Sequence, residues 1–118
     1  MTPEAAKSTY RRMLDQVGET VFIRRYAGAG PSRPRVDATV TARVTGYDEK
    51  DFVGSIITGD RKVIVLAQDL IDAQFALPVL TSDKVVVRGK EMAIIAADDS
   101  SRRIDGVLVA LELQVRAG

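Results

Sequence analysis

The chemistry open to this chain of 118 residues is narrow, because the sequence contains neither histidine nor cysteine. The commonest general base, the commonest transition-metal ligand and the thiolate nucleophile are therefore excluded, and so are disulfides. A serine nucleophile would need a lysine as its base. Lys7 and Ser8 are adjacent on a predicted helix, so their side chains point in different directions. The sequence predicts a protein that is not an enzyme.

Acidic and glycine-rich segments offer only weak binding motifs. The cluster at residues 48–51 lacks the alternating spacing and the trailing glutamate of a calcium loop, so we interpret it as a solubilising turn. Asp98 and Asp99 form the other acidic pair. The Gly-Ala-Gly at residues 28–30 lacks the Gly-Lys-Ser/Thr and the helix start that complete a phosphate-binding loop. We therefore predict neither a metal nor a cofactor.

Arginines beside aromatic residues are the best candidates for nucleic-acid contact. The four candidates are Arg24, Arg25, Arg33 and Arg35. Phe22 and Tyr26 flank the first two, and a barrel strand of this composition could stack bases as OB-folds do. The alternative is an ordinary strand with a basic exposed face. A net charge of +1 argues against strong nucleic-acid binding.

The charge is unevenly distributed along the chain. Residues 1–46 have an excess of arginine and lysine, and the remainder has a small excess of aspartate and glutamate. A basic end and an acidic end would suit head-to-tail stacking of subunits. The alternative is that these charges are ordinary solvated surface residues. No segment has the pattern of a signal peptide or the length of a membrane span. We therefore expect a soluble protein, made in the cytoplasm, with no membrane partner.

A helix is predicted over residues 2–17. Thr2 is placed to act as its N-cap, and Pro3 occupies the first helical position. One apolar stripe follows at spacings of three and four, formed by Ala6, Tyr10, Met13, Leu14 and Val17. Gly18 is expected to end the helix as a C′ residue. A helix of this length is marginal alone, so it should dock on the rest of the fold.

Seven short strands are expected after the helix. They lie at residues 20–26, 36–45, 52–58, 61–67, 85–87, 92–96 and 107–116. Residues 27–35 form a loop, residues 68–73 one or two helical turns, and Gly89-Lys90 the turn of a hairpin. In the last strand, the residues expected to face inward are Val107, Val109, Leu111, Leu113 and Val115, and those expected to face outward are Glu112, Gln114 and Arg116.

This order of elements is typical of a small barrel or sandwich. We predict a single domain over residues 1–118, mainly β, with a small antiparallel β-barrel of about six to seven strands at 19–118 and one N-terminal α-helix. The apolar residues of the connection before the fifth strand are Phe75, Leu77, Val79 and Leu80. They either cap the open end of the barrel or form a contact with another subunit.

Several segments together carry a family resemblance that covers nearly the whole chain. They are the helix, residues 19–25 (ETVFIRR), residues 38–46, residues 59–65 (GDRKVIV), residues 82–91 (SDKVVVRGKE) and residues 113–118 (LQVRAG). In this order they resemble the head-closure (stopper) or head–tail joining neck proteins of siphophage-type particles, which prophages and gene transfer agents also encode.

The resemblance implies a virion structural protein without catalytic activity. Such proteins are small β-barrels with an added helix, and they stack as a homo-oligomeric ring beneath the portal and its adaptor. The ring lines or plugs the channel of the packaged double-stranded DNA and offers a docking face to the tail terminator or tail tube. It is assembled in the host cytoplasm and located in the head–tail neck. On this interpretation Arg24, Arg25, Arg33, Arg35, Phe75 and Leu77 are candidates for subunit or DNA-channel contacts.

Two alternatives remain open on the sequence. A tail-terminator ring has subunits of similar size with mixed α and β structure, and it is the nearest alternative within the same class. An OB-like nucleic-acid-binding module is the alternative from another class.

Overall fold

A closed antiparallel barrel is the centre of the fold. The computed structural model describes residues 1–48 and 54–117. The elements in chain order are α1 (Pro3–Val17), β1 (Glu19–Tyr26), β2 (Arg35–Gly46), β3 (Arg61–Leu66), α2 (Ala67–Asp72), β4 (Lys84–Val87), β5 (Lys90–Asp98), β6 (Arg103–Ile104), β7 (Val107–Leu108) and β8 (Ala110–Ala117). Six strands close the barrel in the order β1-β2-β3-β8-β5-β4, and β6 pairs with β7 in a separate ribbon. The predicted antiparallel barrel with one N-terminal helix is confirmed.

The barrel interior is filled by the inward-facing residues of all six strands. Val21 and Ile23 of β1 are fully buried, as the alternation along that strand predicts. On β2 the same alternation buries Ala38, Val40 and Ala42. With few aromatic residues in the chain, small and β-branched side chains build a continuous core.

The last strand is shorter than the sequence predicts. Leu111, Leu113 and Val115 face the barrel core as expected. Val107 lies instead in the β6–β7 ribbon and is 43% exposed, whereas Val109 is buried in a different cluster. The cause is a break in the ladder, because the amides of both Val109 and Ala110 donate to the carbonyl of Arg102. The expectation that Val107 and Val109 extend the inward face of the barrel is therefore wrong.

The predicted strand at residues 52–58 is also corrected. Residues 54–58 form turns rather than a strand, and Phe52 and Val53 lie outside the described residues. The amide of Ile57 donates to the side chain of Asp60 at 3.1 Å, and the amide of Asp60 donates back to the carbonyl of Ile57. A local side-chain bond of this kind competes with a sheet ladder for the same backbone groups.

Helix α1 packs on the outside of the barrel. Ala6 and Leu14 are buried against Leu66 and Val109, which lie where β3 ends and just before β8 begins. The Thr2 hydroxyl accepts from the amide of Ala5 at 3.1 Å, which confirms the predicted N-cap.

Gly18 ends α1, but not as a left-handed C′ residue. Its backbone is extended, with φ −88° and ψ 171°. A Cβ at this position would collide with the carbonyl oxygen of Leu14 and lie 2.8 Å from Cγ2 of Thr41. Glycine is therefore required, because this position lies against both the last turn of α1 and β2.

The β4–β5 hairpin has a two-residue turn at Arg88 and Gly89, one position earlier than predicted. Both residues have positive φ, 49° and 79°, as in a type I′ turn whose twist matches the strands.

The hairpin of β1 and β2 is longer than its neighbours. β1 pairs with β2 from Glu19 to Tyr26, whereas β4 covers only Val21 to Arg24 on the other side of β1. The tip of this hairpin, with the loop 27–34, therefore extends beyond the ladder of the barrel. No helix in the described part of the chain is both long and apolar enough to cross a membrane.

Candidate functional site

Arg25 is a structural anchor at one end of the barrel. Its Nε and Nη2 bind the two carboxylate oxygens of Asp83 at 2.8 and 2.7 Å. The guanidinium also donates to the carbonyls of Ala76 and Pro78, at 2.9 and 3.0 Å, and lies over the ring of Phe75. Arg25 thus holds the connection between α2 and β4 across the barrel end.

The Asp83 carboxylate is buried and fully engaged in this anchor. Only 1% of its side chain is exposed, and it also accepts from the amide of Leu80 at 2.8 Å. The hydrogen bonds that Arg25 donates to Asp83 raise the pKa of Arg25 above its ordinary value. The charge of Arg25 is therefore compensated inside the fold.

Arg24 points to the outer face of the same strand. Its guanidinium makes two bonds to Asp37, at 2.9 and 3.1 Å, and a third to Glu91 at 3.1 Å. The Tyr26 hydroxyl donates to the same Glu91 oxygen. This network joins β1, β2 and β5 across the outside of the barrel.

The pKa values follow from these bonds. The hydrogen bond from Arg24 lowers the pKa of Asp37, and the bonds from Tyr26 and then Arg24 lower the pKa of Glu91. The hydrogen bond with Asp37 raises the pKa of Arg24. All three groups are therefore charged at neutral pH.

Arg33 and Arg35 are less constrained than the first pair. Arg33 lies over the Tyr26 ring, 3.9 Å from its centroid, and donates to the carbonyl of Gly30. Arg35 is 54% exposed, and its Nε is 3.9 Å from a carboxylate oxygen of Asp37. The structure thus brings Arg24, Arg33 and Arg35 together around Tyr26, and places Arg25 on the other face.

Phe75 and Leu77 lie at the capped end of the barrel. Phe75 is buried in the barrel core, and Leu77 packs against it as a partly buried residue. Val79 is also buried, whereas Leu80 is 46% exposed. Phe75 and Val79 therefore cap the end of the barrel, which is the first of the two alternatives for this connection. A contact between this connection and another subunit stays a prediction.

Asp60 is the central residue of a site that sequence reasoning missed. Its carboxylate is buried and accepts from Nε2 of Gln114 at 2.9 Å and from Nε and Nη2 of Arg116 at 2.7 and 2.9 Å. These bonds, above all those from Arg116, hold the pKa of Asp60 well below its ordinary range. Gly59-Asp60 does form the predicted turn, but the sequence pattern says nothing of the partners on β8.

Gln114 was predicted to face outward, and the structure adds that its side chain is buried. Its side chain points away from the barrel interior, yet it is buried because residues 54–60 lie over it. The only sequence indication is the spacing of Gln114 and Arg116 on one outer face of a strand.

Arg102 makes a comparable link between α1 and the barrel. It donates to the Tyr10 hydroxyl at 2.7 Å and to Glu112 at 2.8 Å. This residue falls in the predicted loop before the last strand, where nothing in the sequence indicated a role.

A shallow groove runs along α1 beside α2. It is lined by Lys7, Ser8, Arg11, Arg12, Asp15, Leu66 and Gln68. Lys7 and Ser8 line this groove together, although no hydrogen bond joins them in the described residues. Arg11 is bound by Asp69, whereas exposed Arg12 has no carboxylate partner within residues 1–48 and 54–117.

No cluster of three or more acidic side chains that could hold a metal ion occurs among the described residues. No protein-family model matches the chain, and no curated protein is significantly similar to it.

Proposed function

We propose that this chain is a virion structural protein, a subunit of the head–tail connector ring that closes the DNA-filled head and docks the tail. The observation that carries the proposal is the architecture: a closed six-stranded barrel with α1 packed on its outside. This is the combination that the sequence resemblance implies for neck proteins. The segments that carry the resemblance lie in both the barrel and the helix α1.

Ring formation needs two different surfaces on each subunit, because a closed ring is built from heterologous contacts. The tip of the β1–β2 hairpin is one such surface, with Arg33 and Arg35 less constrained than Arg24 and Arg25. The groove beside α1, with Arg12 exposed on it, is a second. Both lie on parts of the chain that a bare barrel would not need.

Contact with packaged DNA in this proposal is weak. Arg24 makes two hydrogen bonds to Asp37, and Arg25 makes two to Asp83. Releasing either arginine to bind phosphate would leave Asp37 or the buried Asp83 unpaired. Only Arg33 and Arg35 of the four candidates are then available. This engagement favours a structural ring over an OB-like nucleic-acid module.

Disruption of the gene in a particle-producing strain tests the proposal. We expect the protein in purified mature particles by mass spectrometry, and we expect disruption to give filled heads and tails that do not join. Complementation with the intact gene is the control. Tails of irregular length would instead assign the chain to a tail-terminator ring, and absence of the protein from mature particles would reject both.

A further inference from the structure

One edge of β2 has no neighbouring strand in the described part of the chain. β1 pairs with β2 over Arg35 to Ala42, but β3 pairs only with Ala42 to Gly46. Where β3 would continue along β2, the chain instead enters α2 at Ala67. Residues 35–39 of β2, here called the free edge, are therefore paired on one side only.

The alternation of the ladder shows which backbone groups are unpaired. The amide of Ala27 donates to the carbonyl of Pro34 at 2.9 Å, just beyond the last ladder pair. Because bonded pairs alternate in an antiparallel ladder, Val36 and Ala38 exchange bonds with β1. The intervening residues Arg35, Asp37 and Thr39 direct their amides and carbonyls away from β1. Such an edge is a template for another strand.

The side chains of the free edge are self-complementary about Val36. If two copies pair antiparallel with Val36 on the two-fold axis, Arg35 of each lies opposite Asp37 of the other. Arg35 is 54% exposed and only loosely paired, so it is free to reach that carboxylate. Val36, 57% exposed, then meets its own counterpart in a non-bonded pair, where the Cα atoms are about 4.5 Å apart.

The charges select this register over its neighbours. A shift that puts Asp37 on the axis places two carboxylates opposite each other, and a shift that puts Arg35 there places two guanidinium groups together. Like charges directly opposite are destabilising in a sheet, and opposite charges are stabilising. The bonding pattern of the edge and its charge pattern therefore agree on one arrangement.

We propose that the free edge of β2 binds the same edge of a second copy, giving a two-fold dimer joined by a continuous antiparallel ladder. The dimer would form about four backbone hydrogen bonds between the copies, two in each bonded pair of Arg35 with Asp37. A two-fold contact uses one surface twice, so it is not a contact of the connector ring. It describes the free subunit, and it does not depend on the proposed function.

Disulfide cross-linking tests the register directly, since the chain has no cysteine of its own. V36C should form a cross-linked dimer under mild oxidation in high yield. The matched control is V107C, at a valine that is 43% exposed on the β6–β7 ribbon. Equal cross-linking of the two variants would overturn the proposal.

A charge reversal tests the ion pairs. Analytical ultracentrifugation of the unmodified protein should show a monomer–dimer equilibrium at protein concentrations below about 100 µM. Arg35→Glu should raise the dissociation constant of the dimer about tenfold or more. Lys90→Glu makes the same charge change at an exposed lysine at the start of β5 and should leave the constant within about twofold. A purely monomeric protein at that concentration, or equal shifts in both variants, would overturn the proposal. Thermal unfolding confirms that both variants are folded.

Discussion

The carboxylate of Asp60 is held by the guanidinium of Arg116 through two bonds, Nε to Oδ1 at 2.7 Å and Nη2 to Oδ2 at 2.9 Å. Asp60 precedes β3, and Arg116 lies near the end of β8, the strand beside it. The pair therefore fixes residues 54–60 to the outside of β8. Residues 54–60 therefore cover the outer face of β8 and are held there by buried hydrogen bonds.

Replacing Asp60 should loosen this segment. We expect Asp60→Asn to lower the free energy of unfolding by about 2 kcal/mol, because buried hydrogen bonds to a charged group are lost. Asp99→Asn, at a carboxylate for which no hydrogen bond occurs in the described residues, should change it by less than about 0.5 kcal/mol. Urea denaturation at pH 7 measures both. Equal effects of the two substitutions would show that the Asp60 site contributes little.

Acid should remove the same contribution in a defined direction. The pKa of Asp60 is lowered on folding, so the unfolded chain binds the proton more readily, and stability falls as the pH falls. The contribution is complete above the unfolded pKa of about 3.9 and is lost progressively below it, towards the lower folded value. The stability difference between the unmodified protein and Asp60→Asn should therefore shrink between pH 5 and pH 2. A constant difference over that range would contradict the assignment.

Arg25 and Arg33 should differ sharply although both are hairpin arginines. Arg25→Ala leaves the buried carboxylate of Asp83 unpaired, so we expect a loss of about 3 kcal/mol and faster amide exchange in residues 74–83. Arg33→Ala removes a stacking contact at the tip and should cost less than about 1 kcal/mol. Denaturant titration and hydrogen exchange provide the two measurements. Comparable losses in both variants would mean that Arg25 is not an anchor.

Gly18 provides a test of the helix–strand approach. We expect Gly18→Ala to destabilise the fold by about 2 kcal/mol, because the new Cβ meets the backbone of Leu14 and the Thr41 side chain. Gly46→Ala is the control, since a Cβ there has no neighbour within 4 Å and its φ is not positive. Thermal unfolding of the two variants should separate clearly. A neutral Gly18→Ala would mean that Leu14 and Thr41 lie farther from this position than the structure has them.

Affinity for double-stranded DNA should be weak and blind to sequence. With Arg33 and Arg35 as the available phosphate contacts, the logarithm of the binding constant should fall with the logarithm of salt concentration with a slope of about −2. Replacing both arginines with alanine should abolish the residual binding in a fluorescence titration. Tight binding that survives moderate salt would favour a nucleic-acid module.

The loop between β1 and β2 was predicted at residues 27–35, and Arg35 proves to be the first residue of β2. We expect the loop to exchange amide hydrogens rapidly in the free subunit and to be protected in an assembled neck, where Arg33 would meet a neighbouring subunit or the DNA. Hydrogen exchange in the two states measures this. Equal protection, or normal infectivity after the loop is replaced by Asn-Gly, would make it a bare connector.

Local patterns were sufficient to predict most of the elements. Thr2-Pro3 and the apolar stripe predicted α1, and strict alternation predicted β2 and the inward face of β8. The strand predicted at 52–58 failed because the Asp60 side chain takes a backbone amide that a ladder would use. The sequence pattern indicates only the strand propensity of residues 52–58. It does not show that the Asp60 side chain, which Arg116 holds against β8, binds the Ile57 amide.

The candidate site was harder to predict, for a related reason. Arg24 and Arg25 are adjacent and have the same chemistry, yet one is bound on the outside by Asp37 and Glu91 and the other by Asp83 at the barrel end. These partners are distant in sequence and are set by strand register. A cluster of arginines in sequence therefore does not predict how many are available to a ligand.

The order of strands has a consequence for synthesis on the ribosome. β8 lies between β3 and β5, so the sheet remains open until residues 110–117 have left the exit tunnel. α1, although translated before the barrel strands, docks on Leu66 and on Val109, which is translated just before β8. Until then the nascent chain exposes the edges of β3 and β5 together with an undocked helix, and both are open to pairing with other nascent chains. The barrel is therefore protected against misassembly only after residues 110–117 have been translated.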